Sequence, residues 1–383
     1  MKIAMIIEAW TPIWGGGQAV AFELSKKLTE NHPCNVDLFV MDLDKNRNLK
    51  TEQISKNFQI IYTGSKKRWT ITDRIFWIFE LILEILKKNK KEKYDLIYAH
   101  ANLPGLPAKL ISFLLKIPVV YQVHGSGIDS ITTMYGTTWK SKFLKFFESF
   151  LQKWIKYDLE FTVDKKFIES KNINTPIFIP NGVDVNRFDS ISKSQNFEKK
   201  FKILFVGRLH PQKGLNVLID TVNQIQTILR NKNCKVTIVG GGYEKDELLN
   251  KVNSKGLDDI FEFVGKKYGN ELVLEYKSSN LFVLPSYYEG FPLVILEAWA
   301  SKLPVLVTSV GENPEIIDEN IDGWLVDPGN TEELIKKFKL ILSINTEELE
   351  KIGYAGYSKV KKNYSWDAIS EKLYEKISEI LKS

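Results

Sequence analysis

The chain has 383 residues, 44% of them hydrophobic and 26% charged, and a net charge of +6. These values exclude a disordered, collagen-like or disulfide-scaffolded polypeptide and suit two domains of ordinary size. The longest apolar run, 75–86, is broken by Glu80 and Glu84, too short for a membrane span, and the opening MKIAMIIEAW has no small-residue cleavage site, so a first buried strand is expected rather than a signal peptide.

The chain then alternates short β-branched runs with helical patterns. KIAMIIEA, VDLFVMDL, FQIIYT, DLIYAH, PVVYQVHG, LEFTVD and IFIPNG read as strands, with helices expected over 19–29, 73–88, 106–115 and 143–157. The polar stretch DSISKSQNFEKK (189–200) reads as a linker, which sets expected domains at 1–188 and 201–365. After it the cycle restarts with KILFVGR, KVTIVGGG, FEFVG, LFVLPS, PVLVTS and GWLVDP. Continuous apolar strands separated by helices predict parallel sheets covered on both faces. Two doubly wound domains of this kind would bind ligands at the carboxyl ends of their strands. Cys34 and Cys234 have no Cys or His at metal spacing and are expected as reduced thiols of a cytoplasmic protein.

Chemistry-bearing residues concentrate in the loops. In PSYYEGFPLVILEAWASKLPV (285–305), Pro292 is expected at the first position of a helix whose free N–H groups suit an anion. Glu289 precedes it, and Glu297 lies ~7.5 Å further along the axis. The apolar neighbours of Glu297 demand a partner for its carboxylate. VGRLHPQKG (206–214) places Arg208 and Lys213 at a strand–helix loop, without Walker A spacing. WGGGQAVAFELSKKL follows the first strand with a helix-opening glycine run, yet GxGxxG would need glycine where Val20 stands, against a nicotinamide enzyme. HGSGID (124–129) sets His124 just after a strand, and PNGVD (180–184) makes a turn at Asn181-Gly182. Asp42-Leu43-Asp44 resembles an Asp-x-Asp metal motif but sits outside that context and reads as surface.

Together these segments resemble, over nearly the whole chain, the family-4 retaining glycosyltransferases with their Glu-x7-Glu motif and GT-B fold of two Rossmann-like domains facing across a cleft. The resemblance implies that Arg208 and Lys213 bind a donor diphosphate, Glu289 and His124 meet the transferred sugar, and Glu297 meets the ribose. It places Gly16, Gly17, Gly207, Gly241, Gly290, Phe291, Pro292 and Leu293 in the donor site, with VGGGYEKDEL near the base, and it implies that the helix 366–383 returns to the first domain. Two departures stand out: Gly127 and Ile128 displace the acidic residue expected after His-Gly to Asp129, and Glu312 replaces the second glycine of a usual Gly-Gly pair, a change that could alter donor choice.

The implied reaction is retaining transfer of a hexose or N-acetylhexosamine from a nucleotide-diphosphate sugar to an acceptor hydroxyl, with no cofactor and no metal. Expected partners are the donor and a lipid-linked or saccharide acceptor, with no nucleic acid. A transferase on a soluble sugar, a GT-B phosphorylase and a noncatalytic nucleotide-sugar-binding protein are the competing readings. Residues 1–185 carry +7 and residues 186–383 carry −1, so only the first half has an electrostatic reason to approach an anionic membrane. The amphipathic segments around Trp69, Phe76, Trp77 and Phe79, and around Phe143, Phe147, Phe150 and Trp154, both lysine-flanked, suit that interface, although ordinary sheet-covering helices would look alike. A cytoplasmic enzyme peripheral at the inner membrane face is the expectation.

Overall fold

A computed structural model of the chain describes residues 1–8, 10, 15–44, 46–64, 70–124, 142, 146, 155–165, 168, 176–192 and 200–382. Gly127, Ile128, Asp129, Trp69 and most of the helix expected over 143–157 lie outside the described residues. The chain forms two compact units, Met1–Asn181 with Trp366–Ser383, and Gly182–Ser365.

In the first unit, strands β1 (Lys2–Ile7), β2 (Asn35–Met41), β3 (Thr51–Ser55), β4 (Phe58–Thr63), β5 (Leu96–His100), β6 (Val119–Val123), β7 (Leu159–Thr162) and β8 (Ile177–Phe178) form one sheet in the order β3-β4-β2-β1-β5-β6-β7-β8. All neighbours pair in parallel except β3 with β4. The chain builds outward from β1 in one direction and from β5 in the other, so the topological switch falls between these two strands, where doubly wound sheets open a ligand crevice. Edge strand β3 is exposed along its whole length and follows no apolar pattern, which is why periodicity does not announce it.

Helices α1 (Gly16–Asn31), α2 (Ile71–Lys91) and α3 (Asn102–Leu115) cover this sheet. The α2 helix starts earlier than its apolar pattern because Thr70 and Asp73 close a capping box, each side chain taking the other's backbone N–H. Its inward face is Trp77, Leu81 and Ile85, all fully buried, and the Trp77 indole donates to Thr63 Oγ1 at 2.9 Å. That corrects the expectation for Trp77: it belongs to the core and not to an outward aromatic face. Burying such a side chain is worth roughly 1.5–3 kcal/mol, more than enough to fix which face of α2 turns inward.

The second unit begins with a short helix, α4 (Val185–Asp189), and carries β9 (Phe201–Val206), α5 (Leu215–Asn231), β10 (Cys234–Val239), α6 (Lys245–Ser254), β11 (Phe261–Gly265), α7 (Gly269–Lys277), β12 (Leu281–Leu284), α8 (Leu293–Ala300), β13 (Val305–Thr308), α9 (Asn313–Ile316), β14 (Gly323–Val326), α10 (Thr331–Ser343) and α11 (Thr346–Asn363). Its sheet is wholly parallel, in the order β11-β10-β9-β12-β13-β14, with the switch between β9 and β12. The boundary lies at Asn181, ahead of the expected 188, because Val185 and Phe188 of α4 are buried and Phe188 meets Tyr276 edge-on at 6.2 Å. The last helix, α12 (Trp366–Lys382), belongs to the first unit, where Asp367 bonds Lys27 at 3.0 Å and Asn31 at 2.9 Å and Tyr374 stacks on His32. Cys34 and Cys234 are buried free thiols, and burial pushes each pKa up to about 11. They are therefore poor nucleophiles.

Candidate functional site

At the switch of the second unit, the loop after β9 meets the loop after β12. The first runs through a 3₁₀ turn, Pro211–Lys213, capped by the His210 side chain, which accepts from Gln212 N at 3.2 Å. Gln212 then ties the loops together: its amide donates to the Tyr288 carbonyl at 2.9 Å and its carbonyl accepts from Tyr287 N at 2.8 Å. Gly214, at φ +66, packs so closely on the Pro285 carbonyl that no side chain fits between them.

This stapling brings Lys213 Nζ to 2.5 Å from Glu289 Oε1, and Ser286 Oγ donates to the same oxygen at 2.6 Å. Both charged side chains are nearly buried. Arg208 behaves differently: it is exposed and makes no hydrogen bond or ion pair with any described residue. The desolvated surroundings and the charges of Arg208 and Lys213 hold the His210 imidazole below its ordinary pKa. The local field is therefore positive on one side of Glu289.

Pro292 is not the first helical residue, as the sequence suggested, but the N-cap of α8. Its ψ of 117° is extended, and its carbonyl already accepts from Ile295 N at 3.3 Å. The N–H groups of Leu293 and Val294 follow it and lack carbonyls of their own helix. Phe291 is buried against Tyr364. Gly290 O accepts from Glu312 N at 3.0 Å, and Gly311 lies against the Glu289 and Gly290 carbonyls. The loop after β10 closes the third side, with Gly240 set against the Gly207 carbonyl and Gly241 O accepting from Leu209 N at 3.1 Å.

Glu297 sits one helix turn and a half further along α8. The partner that its apolar neighbours require is Tyr276, whose hydroxyl donates to Oε2 at 2.8 Å. Burial raises the Glu297 pKa, while the Tyr276 hydrogen bond and the Arg187 charge work against that rise. Tyr276 and Gln212 were not singled out by the sequence because each acts on a residue of another element, and Ser286 because its role appears only once the loop folds its hydroxyl onto Glu289.

In the first unit, α1 begins at Gly16, and a side chain on Gly17 would meet the His124 ring at 3.7 Å. His124 follows β6 directly, and its Nε2 lies 3.0 Å from Nδ1 of His100, a fully buried residue that ends β5. His100 was not anticipated, although its place at the end of a switch-point strand was a usable signal. Asp42, expected at the surface, is buried and paired with Arg47 at 2.8 Å, with Asp44 at 3.8 Å from the same guanidinium. Its carboxylate is thus committed to a cation of the chain.

Two parallel α/β units, each gathering polar loops at its switch point, define the GT-B class of transferase. Residues 14–187 match the model of Glycosyltransferase Family 4 and residues 186–359 that of Glycosyl transferases group 1. The chain belongs to this family and is a glycosyltransferase. It is 29% identical to an uncharacterized glycosyltransferase of Methanocaldococcus jannaschii over 97% of this chain and 96% of the relative. It is 28% identical to the UDP-Gal:alpha-D-GlcNAc-diphosphoundecaprenol alpha-1,3-galactosyltransferase of Escherichia coli over 66% of this chain and 68% of that one. The sucrose-phosphate synthase structure from Thermosynechococcus elongatus superposes with a TM-score of 0.85 at 19% identity, covering 100% and 99% of the two chains, a likeness of fold.

Proposed function

We propose that the protein is a retaining hexosyl- or N-acetylhexosaminyltransferase that uses a nucleotide-diphosphate sugar and acts on a lipid-linked precursor. The observation that carries this reading is the Lys213–Glu289–Ser286 cluster at the β9/β12 switch, with Arg208 on the same loop exposed and unpaired among the described residues. Lys213 and Arg208 supply the positive charge that a leaving diphosphate needs, and the α8 N-terminus adds backbone N–H donors. Glu289 faces the sugar, Glu297 takes the ribose, and His124 of the first unit meets the transferred sugar. The bond from the anomeric carbon to the diphosphate oxygen breaks, the acceptor oxygen bonds the same face, and its proton passes to the departing diphosphate. The relative from Escherichia coli, by its name, uses UDP-Gal and a diphosphoundecaprenol acceptor, which makes a uridine-diphosphate donor the first choice.

The lipid-linked acceptor is supported by the outer surface of α2 and α3, which pack side by side. Phe76, Phe79, Leu83 and Phe113 are 63–78% exposed there, with Ile75, Leu110 and Leu114 around half exposed. Exposed lysines Lys87, Lys90, Lys91 and Lys116 lie at the C-terminal ends of the same helices. Among the described residues no helix is long and apolar enough to cross a membrane. Exposed aromatic side chains with lysines at the helix ends suit a surface that lies on one.

A panel of nucleotide sugars, read by thermal shift and by release of nucleoside diphosphate, tests the reading. One uridine-diphosphate sugar should stabilise the protein and be turned over, with and without excess chelator. Failure of every donor to bind would end the proposal, and activity restored only by magnesium or manganese would end its metal-free form.

A further inference from the structure

His100 and His124 form a pair in which one ring determines what the other can offer. His100 ends β5, in register with Ile7 of β1 and Gln122 of β6, and is fully buried. It stacks on Tyr98 with centroids 4.5 Å apart, and Tyr98 is held in turn by a hydrogen bond to Gln122 Oε1. Its Nδ1 lies 3.0 Å from His124 Nε2, with the two rings inclined by only 13°. Its other nitrogen, Nε2, is buried and has no hydrogen-bond partner among the described residues.

Burial depresses the pKa of both rings, His124 to about 4 and His100 well below its ordinary value, the latter aided by the His124 charge. At neutral pH each ring therefore holds one proton, and the 3.0 Å contact takes one of them. Suppose His124 Nε2 were the donor. His100 Nδ1 would then be the acceptor, and the His100 proton would sit on Nε2 as a buried N–H with nothing to receive it. In the opposite arrangement His100 Nδ1–H donates, and only a lone pair is left unmatched at Nε2. Buried N–H groups without acceptors are the rarer defect, so the second arrangement wins.

We propose that His100 is a positioning residue that fixes His124 in the Nδ1-protonated tautomer, so that His124 presents an N–H donor to an oxygen of the transferred sugar. The role rests on the glycosyl-transfer reading of His124 given above, while the tautomer rests on the 3.0 Å contact and on the burial that keeps both rings neutral. Gly17 at the start of α1 lies on the His124 ring, where a Cβ would come within ordinary contact distance at 3.7 Å.

Long-range proton–nitrogen spectra of the histidine rings in the whole protein near neutral pH test the tautomer directly. The chain has four histidines, and His32→Gln and His210→Gln single variants assign the remaining two. The expected wild-type spectrum has Nδ1 protonated in both His100 and His124. His100→Phe should let His124 populate both tautomers and lower kcat about tenfold to a hundredfold, with nucleoside diphosphate affinity unchanged. His100→Asn, whose amide N–H stands near the position of Nδ1, should restore most of kcat and the single tautomer. A wild-type His124 protonated at Nε2 would overturn the proposal without recourse to any variant, as would a His100→Phe protein with unchanged tautomer and kcat. Absence of sugar transfer by the wild type would count against the function proposed above and leave the tautomer to the spectra.

Discussion

Arg208 and Lys213 carry the same charge in different settings, and the difference separates their effects. Lys213 is held by Glu289 in a nearly buried pair, whereas Arg208 is exposed and uncommitted among the described residues. Loss of one stabiliser of a developing diphosphate costs roughly 3–4 kcal/mol of barrier, a hundredfold to a thousandfold in rate. Arg208→Ala and Lys213→Ala should both lose that much transfer. Only Lys213→Ala should also lower the thermal midpoint, because it strands the Glu289 carboxylate. Wild-type turnover in either variant would refute the assignment. Glu297→Ala should instead weaken nucleoside diphosphate binding by about tenfold, through a lost ribose contact. Calorimetry showing unchanged affinity would remove Glu297 from the donor site. The first-unit histidines add a pH effect. An unfolded His124 takes up a proton near its ordinary pKa of 6.5, while the folded ring resists until about 4. The unfolded state therefore binds more protons across this window, and stability falls as pH falls from 6.5 towards 4. At pH 5 the loss is on the order of 2 kcal/mol. Urea midpoints at pH 7 and pH 5 should differ less in His124→Phe than in the wild type, and an equal difference would contradict the buried neutral ring.

The elements that hold these residues were legible to different degrees, for physical reasons. Strands β1, β2, β5, β9, β10 and β12 are predominantly apolar runs whose interiors are buried, so their patterns announced them. The loops that follow β9 and β12 could be named in advance, and Arg208, Lys213, Glu289 and Glu297 with them. What could not be read was pairing across the chain. Tyr276 reaches Glu297 from α7, and His100 reaches His124 because β5 and β6 are neighbours in register. Such contacts depend on strand order, which periodicity does not encode. The same limit hid the reason for Gly214. It is the hinge of the loop-to-loop staple, combining a φ of +66 with a carbonyl where a side chain would go. Gly214→Ala must shift the β9 loop away from Pro285, at an expected cost above about 3 kcal/mol and most of the activity. Chemical denaturation measures the first and donor turnover the second. A variant of near-wild-type stability would show that the two loops can part without consequence.

At the level of the whole molecule, charge and apolar exposure coincide on the first unit. Residues 1–185 carry +7 and residues 186–383 carry −1, and the exposed phenylalanines of α2 and α3 lie in the positive half. The arrangement follows from α2 itself. Trp77, Leu81 and Ile85 claim the sheet, so the remaining apolar residues of a helix with too many of them are left outward. A contiguous exposed aromatic patch marks an interaction surface. A lysine near an anionic bilayer contributes roughly 1 kcal/mol, and that share is screened by salt. Two dependences should therefore separate on vesicles. Co-sedimentation with anionic vesicles should fall as salt rises, through Lys87, Lys90, Lys91 and Lys116. The joint substitution of Phe76, Phe79 and Phe113 by serine should weaken binding at least tenfold at every salt concentration. Because these three side chains are exposed, their loss should leave the thermal midpoint and turnover of a water-soluble acceptor analogue unchanged. A wild-type protein that stayed in the supernatant with anionic vesicles at low salt would remove the membrane from the proposal and turn the search toward a soluble sugar acceptor.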